Sequence, residues 1–234
     1  MLAVYKRDLR AFYTTPLGYV FSGILALIMN LCFYYLNVQT SSSNIKPIFY
    51  MLLIGLAFLA PILTMRLLSE EKKLKTDQLL YTVPIRITDI VLGKYFAALS
   101  VFIISLLGTF MIPLILAAYS VAEPWAIFGN YIAIFAAASA FIAIGLFISS
   151  MTENQLISAI VTWTVLIGLY LLDTLAATIE LTIVKTVISW LSVYSRYLGF
   201  SYGLFDLSDI IYYISVSAVF IFLTVRMLDK KRYA

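Results

Sequence analysis

Six stretches of the chain, approximately residues 17–38, 47–65, 95–119, 126–149, 156–172 and 210–225, are apolar and free of Asp, Glu, Lys and Arg. A membrane-crossing helix needs about 20 mainly apolar residues, and each stretch approaches or exceeds that length. Only helices and closed barrels satisfy every backbone group in hydrocarbon. Unbroken apolar runs, rather than ten-residue alternations, decide for helices. Of the 234 residues, 63% are apolar and 12% charged, whereas a soluble domain carries about 45–50% and 25%. Such a surplus cannot be hidden from water. The expectation is an all-α integral membrane protein with six transmembrane helices in a single transmembrane domain over residues 1–234.

The basic residues orient these spans. Thirteen of the sixteen Lys and Arg residues fall on one side, in 1–16, in the 66–94 loop and at the C-terminal end; Lys46, Lys185 and Arg196 fall on the other. Both termini are therefore expected in the cytoplasm. A seventh span over 175–191 would carry Glu180 and Lys185 inside the bilayer, at about 2.5–3.5 kcal/mol for a charge at a helix centre. It would also export Lys230, Lys231 and Arg232. The 173–209 segment is read instead as short re-entrant or interfacial helices at the outer leaflet, with Trp190, Tyr194, Tyr197 and Tyr202 at the interface. The first apolar run is longer than a signal-peptide core and lacks a small-residue cleavage site, so it is expected to remain as a helix.

Chemistry is sparse. Histidine is absent and Cys32 is the single cysteine, so metal sites, disulfides and His-based catalysis find no support. The one Gly-Lys pair, Gly93-Lys94, lacks the glycine and the Ser or Thr that a phosphate-binding loop requires; it reads as an interface turn and anchor. No ionisable side chain lies within the six spans, which argues against ion-coupled transport by this chain alone. No catalytic residue, cofactor or metal ligand is assigned, and nucleic acid is not an expected partner. Any uphill work must come from another subunit.

Two segments outside the spans carry pattern. Leu2, Tyr5, Leu9, Phe12 and Tyr13 share one helical face within about 100°, with Lys6, Arg7 and Arg10 adjacent. This basic amphipathic helix (1–16) is expected to lie among lipid headgroups, either orienting the chain or also touching a cytoplasmic partner. The 66–94 loop contains Glu70, Glu71, Lys72, Lys73, Lys75, Thr76, Asp77, Leu79, Leu80, Tyr81, Val83 and Pro84. The second span is expected to continue helically past Arg66. Thr76 should cap a short helix whose dipole Asp77 complements, with Pro84 ending it. Thr88-Asp89 should cap the third span. The loop is either filler or a docking element.

These residues resemble the six-helix permease subunits of type-2 ABC transporters, and among them the gliding-motility-associated permeases. The pattern there is a pair of acids, a basic stretch, Gly-Thr, Glu-Leu-Leu and a proline. Glu70-Glu71, Lys72-Lys73, Thr76, Leu79-Leu80 and Pro84 match it, followed by Leu92-Gly93-Lys94-Tyr95. Lys75 stands in place of the glycine and Gln78 in place of the glutamate. Tyr5-Lys6-Arg7-Asp8-Leu9-Arg10 with Pro16, and Gly203, Asp206, Asp209 and Tyr212-Tyr213, also fit. The resemblance implies an ABC exporter in the plasma (inner) membrane of a bacterium or archaeon. It also implies an ABC ATPase partner that holds ATP and Mg, a second permease chain in a homo- or heterodimer, and a coupling helix formed by the loop. A non-transport scaffold and an ATP-independent channel are the alternative classes.

Inside the spans the signals are weaker. Ala136, Ala140, Ser139 and Ala143 allow close helix approach, within the chain or between subunits. Asn30, Asn130, Thr162 and Thr164 can bond across helices or meet substrate. Trp163 either lines a pathway or packs the core.

Overall fold

The computed structural model describes residues 1–76, 86–119, 124–176, 192–201 and 207–232. Helix α1 (Leu2–Thr14) precedes α2 (Leu17–Phe33), which runs on into a π-helical turn, Tyr34–Val38. There follow α3 (Lys46–Thr64), α4 (Ser69–Lys73), α5 (Ile87–Gly108), α6 (Met111–Tyr119), α7 (Pro124–Met151), α8 (Gln155–Ala176), α9 (Val193–Ser201) and α10 (Leu207–Arg232). Six stretches are long and apolar enough to cross a membrane: Leu17–Val38, Lys46–Lys73, Ile87–Leu116, Trp125–Met151, Gln155–Leu175 and Ser208–Lys230. The expected six-helix plan is met.

Helix α7 is the axis of the bundle. Its most apolar stretch is 78% buried, against 22% for the first, fifth and sixth spans. Lipid supplies no hydrophobic drive between helices, so close packing and interhelical hydrogen bonds must hold them. Ala133, Ala136, Ala137, Ala140 and Ala143 are all buried, and α7 lies most extensively along α10. Ser139 Oγ meets Ser217 Oγ of α10 at 3.3 Å. Gly145 is required by α3: a Cβ there would stand 2.7 Å from Thr64 Cβ.

Several local expectations are corrected. The third transmembrane helix begins at Ile87, within two residues of the expected cap and ahead of the apolar stretch from residue 95, and Gly93 and Lys94 are helical and form no turn. Its first turn holds Thr88 and Asp89; the N-cap is Arg86, and no side chain caps the helix. The helix breaks at Thr109 and Phe110, whose N–H groups turn back to the carbonyls of Leu106 and Leu107. Pro113 explains the break, since it has no N–H to offer the Thr109 carbonyl and its ring crowds that position.

The second span does not run smoothly past Arg66. A turn over 65–68 separates α3 from α4, and the N–H groups of Leu68 and Ser69 donate to Ser149 Oγ of α7 at 3.2 and 3.1 Å. A hydroxyl on another span thus starts α4, where the chain's own helix leaves donors free. Thr76 closes α4: its N–H and hydroxyl both donate to the Glu71 carbonyl, at 2.9 and 3.2 Å. With Lys75 N–H on the Lys72 carbonyl at 3.0 Å, this is a Schellman closure, whose penultimate residue takes the left-handed conformation. Lys75 does so, at φ 56°. The helix that Thr76 was expected to cap, with Asp77, Leu79, Leu80 and Pro84, lies outside the described residues.

Helix α9 also departs from expectation. Tyr194 and Tyr197 are buried in the bundle rather than placed at an interface. Their hydroxyls explain this, because a tyrosine buries readily where its O–H finds an acceptor. Tyr197 Oη donates to Asn130 Oδ1 at 3.0 Å, and Tyr213 Oη donates to the Val193 carbonyl at 2.6 Å. Arg196 pairs with Asp209 at 2.9 Å and lies 4.3 Å over the Tyr212 ring. Trp190 and Tyr202 lie outside the described residues.

Two substitutions test this packing by thermal unfolding of the purified protein. Gly145→Ala should destabilise it by about 1–3 kcal/mol through overpacking; an unchanged Tm would contradict the α3–α7 contact. Lys75→Gly should raise stability by about 1 kcal/mol by relieving the left-handed lysine.

Candidate functional site

The charged end of the bundle brings together α1, α4 and the first turns of α5. Helix α1 lies along α5, with Val4, Asp8 and Phe12 on its buried face. Leu2, expected on that face, is 71% exposed. The inward face of α1 therefore contains an aspartate, and the reason lies on α5. A Cβ at Gly93 would sit 3.1 Å from Val4 Cβ and 3.2 Å from the Met1 carbonyl, so glycine permits the two helices to touch. Beside it, Lys94 is only 2% exposed.

Lys94 Nζ lies 3.1 Å from Asp8 Oδ2 and 2.8 Å from Glu71 Oε1. Arg7 bridges the same two acids, with Nε 2.8 Å from Asp8 Oδ1 and Nη2 2.6 Å from Glu71 Oε1. Two cations and two anions thus neutralise each other across three helices. Burial by itself would lower the Arg7 pKa, but the carboxylates of Asp8 and Glu71 outweigh it and hold the guanidinium above its ordinary value. Glu71 Oε2 is buried without a hydrogen-bond partner among the described residues. A second set of contacts reinforces the first. Arg66 pairs with Glu70 and donates from Nη1 to Thr15 Oγ1 at 2.7 Å, and Lys72 Nζ donates to the Ser150 carbonyl of α7. Between α1 and α4 a cleft opens, lined by these charges and by Ala11, Phe12, Leu67 and Leu74.

The structure therefore gathers Arg7, Glu70 and Glu71 of the predicted residues around one cleft, which Phe12 also lines, and places Thr76 at the end of α4. Lys6 and Arg10 stay exposed on the outer face of α1, and Leu9 is half-buried. Tyr5 Oη is 3.0 Å from Ser100 Oγ of α5. Asp8 and Lys94, at the centre, were not singled out as site residues. The signal that could have found them is Asp8 at the i+4 position from Val4 and the i−4 position from Phe12, an acid on an otherwise apolar helical stripe.

Of the residues within the spans, Asn130 bonds across helices, to Tyr197. Trp163 is also glue: its indole N–H donates to the Phe58 carbonyl of α3 at 2.8 Å, close to Pro61, which interrupts that helix's own ladder. Among the described residues Thr162, Thr164 and Asn30 bond to their own helices, at Ser158, Ile160 and Ala26, and Asn30 is exposed. Ala136 and Ala140 are packing residues within the chain.

A family model described as ABC-2 family transporter protein matches residues 2–228, nearly the whole chain. No curated protein matches it.

Breaking the buried charge cluster at one point strands the remaining charges. Lys94→Met should destabilise the protein by about 3–5 kcal/mol. Adding Asp8→Asn, which restores neutrality, should recover a clear part of that loss. Strictly additive effects in thermal unfolding would show that Asp8 and Lys94 are not paired.

Proposed function

The chain belongs to the ABC-2 transporter family as a membrane-spanning permease, and from that premise we propose that it is the translocating subunit of an ABC exporter. Its motor is a separate ATPase subunit, which holds ATP and Mg. The permease pairs with a second permease chain in the plasma membrane, both termini facing the cytoplasm. Its own residues bind no nucleotide and perform no hydrolysis; they form the route and the mechanical link.

The observation that carries this reading is the fixing of α4. That short helix is bound to α1 and α5 through Glu71 and to α7 through Ser149 and Ser150. A displacement of α4 therefore acts on three helices at once. Packed interfaces switch between discrete arrangements rather than deforming smoothly. Closure of paired ATPases on the loop would then rock the spans between inward- and outward-facing packings. Glu70, Glu71, Thr76, Asp77, Leu79, Leu80 and Pro84 constitute the coupling element in this reading.

Replacing Leu79 and Leu80 together by aspartate should abolish co-purification with the ATPase subunit and stimulation of its ATP hydrolysis. A complex that survives these substitutions with unaltered activity would remove the coupling role.

A further inference from the structure

The cleft between α1 and α4 is lined by three cations, Arg7, Arg66 and Lys94, and by three acids, Asp8, Glu70 and Glu71, so its walls carry no net charge. Their hydrogen bonds do not use every polar atom. Arg7 bonds through Nε and Nη2, and Arg66 through Nε and Nη1, which leaves one guanidinium nitrogen of each without a partner among the described residues. On the acidic side, and again among the described residues, Glu70 bonds through Oε2 alone, and Glu71 Oε2 is buried with no partner. Free donors and free acceptors thus border one neutral space of about 210 Å³, or about seven water volumes at about 30 Å³ each. Phe12, Leu67 and Leu74 add apolar surface to its lining. The depth of the cleft is fixed as well. Thr15 stands two residues before α2 begins, Arg66 two residues after α3 ends, and the two bond to each other at 2.7 Å. The cleft therefore lies where two spans leave the hydrocarbon, at the level of lipid headgroups.

We infer that this cleft is a binding site for a zwitterionic phospholipid headgroup with a primary ammonium, of the phosphoethanolamine kind, drawn from the leaflet that borders the charged end. Phosphate oxygens accept from the free guanidinium N–H groups of Arg7 and Arg66, the pairing for which arginine is best shaped. The ammonium has three N–H groups to give; it donates to Glu70 and, with a turn of its carboxylate, to Glu71, which otherwise lacks a partner on one oxygen. An anionic headgroup would bring a charge that the balanced walls leave unpaired, and such a charge is costly once withdrawn from water. A choline headgroup has no ammonium N–H to donate. Phe12, Leu67 and Leu74 meet the glycerol and the first methylenes, contacts that a soluble phosphate ester cannot make. The inference needs only the membrane setting of the chain and is independent of any ATPase partner.

Native mass spectrometry of the full-length protein, released from micelles with equal amounts of phosphatidylethanolamine, phosphatidylcholine and phosphatidylglycerol, measures which lipid is retained. The ethanolamine lipid should be retained about tenfold over each of the others, the worth of one charge-assisted hydrogen bond. It should also raise Tm by several degrees, and soluble O-phosphoethanolamine at the same concentration should raise it far less. Glu70→Gln should cut retention about tenfold. Because that change also loosens Arg66, a second variant leaves all six charges in place. Ala11→Phe, which fills the cleft from α1, should abolish the preference while Tm in phosphatidylcholine alone stays at the wild-type value. Equal retention of the three lipids by wild type, or a preference for phosphatidylglycerol, overturns the site. A preference that survives Ala11→Phe places the lipid elsewhere and overturns it too. A soluble ester that stabilises as well as the lipid overturns the assignment to a phospholipid.

Discussion

A buried lysine near the start of a transmembrane helix organises the charged end of this protein. An ammonium withdrawn from water is tolerated only when it is paired and hydrogen-bonded. Lys94 finds its partners on two other segments, Asp8 of α1 and Glu71 of α4. Neutralising it obliges both segments to seat against α5, and Gly93 clears the space in which α1 can do so. Arg7 completes the balance, so that three helices meet at a site without net charge. The cleft between α1 and α4 and the inward aim of Glu71 follow from that pairing, while Lys73 and Lys75 are left exposed.

The rest of the bundle is held by a different means. Within hydrocarbon the apolar side chains gain nothing by leaving lipid for each other, so contact area and hydroxyl bonds decide which faces meet. The alanines of α7 bring α10 close, and Gly145 admits Thr64 of α3. Ser149, Asn130 with Tyr197, and Trp163 with the Phe58 carbonyl then pin particular depths of the spans to one another. Through these bonds the inner loop is tied to the axis of the bundle, which is what a mechanical link needs. Local backbone irregularities sit at its edges: Pro113 breaks the third span, and the Schellman closure ends α4.

Much of this was legible from residue order. The spans, their number and the helical character of 1–16 follow from hydropathy and a 3.6-residue period, which are local properties. The acids, lysines and threonine of the loop carried a resemblance with which the family match over residues 2–228 agrees. The roles within that segment were not legible. Nothing in the order of residues showed that Glu71 lies against Lys94, 23 residues further on. That Thr76 closes α4 was also hidden, because the reversal at Lys75 depends on a left-handed lysine that no propensity scale anticipates. Tyr194 and Tyr197 looked interfacial because aromatic residues generally are; their acceptors, the Leu166 carbonyl and Asn130, belong to other spans.

The amino-acid sequence by itself determined that this chain lives in lipid, crosses it six times, and gathers its charge at one end. Those outcomes are sums of transfer free energies, each set by a residue and its near neighbours. Tertiary structure alone decided which charges neutralise each other, which tyrosines enter the core, and which side of α4 is left facing outward. The reason is that a buried polar group is stable only opposite its partner, and partners such as Arg196 and Asp209 or Lys94 and Asp8 stand 13 and 86 residues apart in the chain, on helices brought together only by the fold.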